Sequence, residues 1–79
     1  MHVNGTKESI LEQMKIGMWA KVNEKNVTFR NSVFSNLTEI HQMEIGKDGN
    51  FSIKRTLSCS EFEQVLEVIL DLKLEISFI

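Results

Sequence analysis

Cys59, His41 and His2 carry the side chains of this chain that are suited to nucleophilic or metal chemistry. Cys59 follows Ser58 where a helix is expected to start, and exposed backbone amides there favour a thiolate. His41 falls on an expected strand beside the one leading to that helix, so the two make a nucleophile–base arrangement. No orienting third group or oxyanion motif accompanies them. The plainer alternative is a small residue filling a helix entrance and a histidine at a sheet edge. As metal ligands, His2, His41 and Cys59 match no ligand spacing. Lys47-Asp48-Gly49-Asn50 has one acidic group where a calcium loop has several, and no closing glutamate. Gly46 and Gly49 lack the strand–loop–helix order of a phosphate loop. The expectation is a non-enzymatic protein with no catalytic residue, no metal and no cofactor.

Binding chemistry is better represented. Trp19, Lys21, Phe29, Arg30, Lys54 and Arg55 fall on expected strands, and aromatic and basic side chains on a sheet can stack bases and follow phosphates. By strand parity Trp19 and Lys21 share a face, while Phe29 points with Val27 into the core. Strands followed by a helix through Thr56-Leu57-Ser58 and Glu61-Phe62 resemble, over residues 18–72, the single-stranded-DNA-binding transcriptional coactivators. The basic residues of these strands that would serve a nucleic-acid face are Lys21, Arg30, Lys54 and Arg55. The chain departs from the pattern in lacking tyrosine, in its acidic balance, and in its extra helix before and strand behind.

These groups need elements to hold them. Thr6 caps a first helix with Glu8 in its first turn, Ile10, Leu11, Met14 and Met18 form its apolar stripe, and Gly17 stops it. Met18 to Val22 alternates as a strand, Asn23 to Asn26 has turn chemistry, and Val27 to Arg30 alternates again. Asn31 to Asn36 is an interruption that reads as a bulge, a loop or the approach to an interface. Leu37 to Ile45 allows helix or strand, and the strand is preferred because of the hairpin that follows. With Lys47-Asp48-Gly49 as a three-residue loop, Ile45 faces Phe51, Met43 faces Ile53 and His41 faces Arg55, with Glu44 opposite Ser52 and Gln42 opposite Lys54.

Ser58 and Glu61 have capping-box spacing, opening a second helix whose buried stripe is Phe62, Val65, Leu66, Ile69 and Leu72. Glu61, Gln64, Glu67 and Asp71 make its wet side, and Val68 and Leu70 widen the apolar arc. Leu74 to Ile79 alternates as a final strand. The expected fold is α+β, in the order α-β-β-β-β-α-β, as one domain over 1–79 with 1–5 a loose end. Its mainly antiparallel sheet is packed by two helices.

Seventy-nine residues bury only a modest core, and small domains without staples often borrow stability from a second copy. One cysteine excludes an internal disulfide framework and suits a reducing cytoplasm. No signal-like stretch is read at the N-terminus and no run is long enough to span a bilayer. The four N-x-S/T triplets, at Asn4, Asn26, Asn36 and Asn50, read as chance matches. The net charge of −2 points to neither nucleic acid nor membrane, although the acidic residues concentrate after residue 58. The leading expectation is a small cytoplasmic protein-binding module, acting as a homodimer or on another protein. Its contact surface would be Trp19, Val68, Leu70, Ile76 and Phe78. Small regulatory proteins of phages and mobile elements, accessory or inhibitory, are often of this size. Nucleic-acid binding is the alternative, and a Cys/His enzyme the third reading.

Overall fold

The computed structural model describes residues 5–33 and 36–79. Thr6 caps α1 (Lys7–Lys15) by accepting from the Ser9 amide, and the chain leaves it through Gly17 at φ +97°. Only a residue without Cβ adopts that conformation without strain, which is why the helix stops there. β1 (Ala20–Val22) follows, then a single 3₁₀ turn at Asn23–Lys25 with Asn26 left-handed, then β2 (Val27–Val33). β3 (Asn36–Ile45) and β4 (Phe51–Ser58) form the hairpin. The ambiguous segment is thus a strand. Phe34 and Ser35, within the expected interruption, lie outside the described residues, as does the N-terminal end except Gly5. α2 (Cys59–Asp71) opens with the full capping box, Ser58 and Glu61 each satisfying the other's amide, and β5 (Ile76–Phe78) ends the chain.

The five strands form one antiparallel sheet in the order β4-β3-β2-β1-β5. Pairing places Ala20 between Phe29 and Phe78, Val22 beside Ile76, and Ile40 beside Leu57. All seven face the same side of the sheet, and both helices lie there. Ile10 and Met14 from α1 and Phe62, Leu66 and Ile69 from α2 complete the buried cluster. The Phe29 and Phe62 rings meet with centroids 5.1 Å apart at the centre of this layer. Lys7 reaches Glu67 at 3.2 Å and ties the two helices together at the surface.

The hairpin keeps the expected register for Ile45–Phe51, Glu44–Ser52 and Met43–Ile53, then shifts. Gln42 pairs with Arg55 and His41 with Thr56, leaving Lys54 as an extra residue opposite no partner. The bulge corrects the expected His41–Arg55 and Gln42–Lys54 pairs. Its physical reason is Leu57. An unbroken ladder would set Ile40 against Thr56, whereas one inserted residue turns Leu57 onto the helix side, where it is 3 % exposed.

Two further expectations are corrected. Ile76 and Phe78, read as contact residues, are 1 % and 4 % exposed. They alternate with Ser77 on a strand paired to β1, so their side chains enter the core and cannot meet a partner. Leu72, read as part of the buried stripe, is exposed because α2 ends one residue earlier and the chain turns through Lys73 at φ +55°. Leu74 takes its place in the core, its amide bonded to the Ile69 carbonyl.

Candidate protein interface on the open sheet face

The sheet has a second side, which neither helix covers. Ladder pairing determines who stands on it. Thr56, His41 and Arg30 form one cross-strand row, and Ile53, Met43, Thr28, Lys21 and Ser77 form the next. Ile45 and Phe51 begin a third. Beyond the short β1, Trp19 and Ile79 exchange two backbone hydrogen bonds, Trp19 amide to Ile79 carbonyl at 2.8 Å and the reverse at 3.0 Å. That pair extends the first row past Arg30, so Trp19 and Ile79 share the open side.

Ile45, Phe51, Ile53 and Ile79 are all exposed large hydrophobic residues, and all four stand on this face. Scattered singly they would be unremarked, but here they cluster as an apolar patch on one face that the helices leave uncovered. The Trp19 ring meets Phe51 edge to face at 5.2 Å, and Arg30 sits over the Trp19 ring at 5.6 Å. Trp19 and Phe51 come from opposite corners of the face. Between them lie Thr28 and Met43, each 5 % exposed although neither helix covers them. The two rings therefore shield the middle of a sheet that is otherwise bare.

A polar string borders the aromatic pair. Arg30 Nε donates to His41 Nδ1 at 3.4 Å, and His41 Nε2 lies 3.2 Å from Glu39 Oε2. With Nδ1 accepting, the neutral ring carries its proton on Nε2 and donates it to Glu39. Ser32 Oγ donates to the Glu39 backbone carbonyl at 2.8 Å, and it also lies 3.0 Å from the Glu39 carboxylate. This string fixes Arg30 against the indole. It does not assemble a nucleophile, since both ring nitrogens of His41 are occupied by Arg30 and Glu39.

The remaining sequence candidates are dispersed. Cys59 is a half-buried free thiol on the first turn of α2, and His41 points to the opposite side of the sheet from that helix. His2 lies outside the described residues, and among those residues no group of three or more His, Cys, Asp or Glu is placed to hold a metal ion. Among the basic residues, Lys21 and Arg30 share the open face with Trp19. Arg55 is on the helix side, its Nε bonded to Gln42 Oε1 at 2.6 Å, and Lys54 occupies the bulge on edge strand β4. The four do not form one continuous basic face. Val68 is exposed on α2, while Leu70 is half-buried against the core.

Of the expected contact residues, Trp19 thus stands with Ile45, Phe51, Ile53 and Ile79, none of which was singled out in the sequence for this surface. A signal is present in the sequence: Ile45, Phe51, Ile53 and Met43 alternate on one hairpin face, the pattern that sets the hairpin register. No helix of the described residues is long and apolar enough to cross a membrane. Set against known protein families, curated proteins and solved structures, the chain matches none.

Proposed function

We propose that this protein is a non-enzymatic, protein-binding regulatory module that works through its open sheet face, and that its first partner there is a second copy of itself. The observation carrying this reading is the placement of Ile45, Phe51, Ile53 and Ile79 around the Trp19–Phe51 pair. Two such faces stacked about a two-fold axis would form the inner layer of a sandwich, with the helices outermost. The alternative dimer, edge to edge through β4, is opposed by the strand itself. An antiparallel self-pairing would bring Lys54 and Arg55 close to their own copies, and the bulge interrupts the ladder there. The accessory or inhibitory role of small phage and mobile-element proteins suits such a module. In that setting the exposed arc at Val68 and Leu72 of each copy would remain available to a target.

Light scattering across a concentration series tests the proposal. The wild-type chain is expected to double in mass with rising concentration, and Phe51→Ser with Ile53→Ser is expected to stay monomeric with unchanged circular dichroism. A wild type that remains monomeric at millimolar concentration would overturn the homodimer. A variant that still dimerises would remove the open face as its site.

One observation favours a second reading. Lys21 and Arg30 stand on the same face as the two aromatic rings, the combination by which sheets bind single-stranded nucleic acid. Electrophoretic shift at low and moderate salt separates the two. Binding that weakens steeply with salt and is lost in Lys21→Ala with Arg30→Ala would support nucleic acid.

A further inference from the structure

On the helix side, between α2 and the strands, the packing leaves a cleft of about 200 Å³. It opens to solvent along one side, so a small molecule can enter it without any rearrangement of the fold. Its walls are Val27 and Phe29 from the sheet and Val65 and Ile69 from α2, all apolar. Its charged lining residues are Lys25, at the end of the 3₁₀ turn, and Arg55, from β4. Among the described residues no acidic side chain lines it.

Arg55 is held for this role. Gln42, only 8 % exposed, accepts its Nε at 2.6 Å and leaves the outer nitrogens of the guanidinium without a carboxylate partner among the described residues. Glu61 lies near enough for Arg55 to contribute to holding its carboxyl down, and one oxygen of that carboxyl accepts from the Ser58 amide in the capping box. Lys25 likewise has no ion pair among the described residues. An apolar slot with two cations and no anion recognises a small molecule with an aliphatic body and an anionic head.

We propose that this cleft is a binding site for a short-chain aliphatic carboxylate, its tail between Val65, Ile69 and Phe29 and its carboxylate on Arg55 and Lys25. The size limits the ligand. The cleft is below the range of pockets that take drug-sized molecules, so the tail is a few carbons long rather than a full fatty acyl chain. The site is independent of the open face, from which the sheet separates it.

The test is a methyl-resolved NMR titration of the whole chain with butanoate, hexanoate and hexanol. Saturable shifts are expected at Val65 and Ile69 with hexanoate, with affinity rising about fourfold per methylene from butanoate. Hexanol is expected to bind at least tenfold more weakly, and Arg55→Gln with Lys25→Gln to lower hexanoate affinity by about tenfold. The spectrum of that variant reports whether it is folded, and Val65→Phe, which fills the cleft, is expected to abolish the shifts. Phe51→Ser on the open face is expected to leave them unchanged. Absence of saturable shifts at Val65 and Ile69 would overturn the proposal. So would hexanol binding as well as hexanoate, or full affinity in the folded double variant.

Discussion

The indole of Trp19 and the ring of Phe51 meet edge to face at 5.2 Å, with planes 78° apart, although 31 positions separate them in the chain. One ring comes from the residue just before β1 and the other from the start of β4, across the whole width of the inner strands. Their meeting takes Thr28 and Met43 out of water without either helix over them. The open face is therefore both partly protected and still apolar.

Phe51→Ala removes this shield. An aromatic pair contributes about 1 kcal/mol beyond the area it buries. The expected result, measured at a concentration where the chain is monomeric, is a red shift of Trp19 emission and a lower urea midpoint. An unchanged emission maximum would show that the indole does not depend on its neighbour.

Phe62→Ala acts on the opposite side of the sheet with a larger effect. Phe62 is fully enclosed and abuts Phe29. Truncating a buried phenylalanine costs about 3–5 kcal/mol, and a domain of this size has a total net stability of roughly the same amount. The variant is therefore expected to be largely unfolded at room temperature by circular dichroism. A cooperative thermal transition close to that of wild type would contradict the placement of Phe62 at the centre of the core.

Gly49 offers a cleaner measurement of backbone strain. It sits at φ +82°, and a Cβ added there would meet open space. Any loss in Gly49→Ala is then conformational rather than steric against neighbours, about 1 kcal/mol. Gly49→Asn is expected to lose less than half of that, since asparagine tolerates the left-handed region. Equal losses in the two variants, read from urea midpoints at constant slope, would disprove the conformational cause.

The pH dependence follows from two carboxylates and one ammonium. The Ser58 amide, donating to Glu61, holds that carboxyl below its ordinary value, and the Asn50 amide does the same for Asp48. Depressed carboxylates stabilise the fold above their unfolded pKa and lose that contribution as pH falls through the folded one, below about pH 4. Lys7 is raised by its hydrogen bond to Glu67, so its contribution is full below the unfolded pKa and is lost as pH rises beyond about 10. Glu61→Gln is expected to be less stable than wild type at neutral pH, with the gap closing on acidification. Parallel curves through the acid range would dismiss the capping carboxylate as a pH-dependent element.

Much of this was legible in the residues because it is local. Thr6 and Ser58 cap helices a few residues away, Gly17 and Gly49 supply the backbone angles their turns require, and the strand alternation sets two faces whatever surrounds them. The order of elements and the first three hairpin pairs follow from such short-range rules. The bulge at Lys54 does not, because it arises from the need to bring Leu57 onto the helix side beside Ile40. The same is true of Leu72, whose exposure depends on where the chain must turn to deliver Leu74 and β5 to the core.

Which face of the sheet stays bare was decided only in three dimensions. Alternation in β3 and β4 says that Ile45, Phe51 and Ile53 lie together. It cannot say whether helices cover them, since both sides of the hairpin carry apolar residues. Two helices of 9 and 13 residues cover one side of five strands, and they settle where Phe29, Ile40, Leu57, Ile76 and Phe78 make the larger apolar surface. The chain's own pattern determined its helices, turns and strand faces, because neighbours along the backbone enforce them. The packing of distant segments decided the burial of β5, the shift in the hairpin and the exposure of the Trp19–Phe51 face, because total buried area is a property of the whole fold.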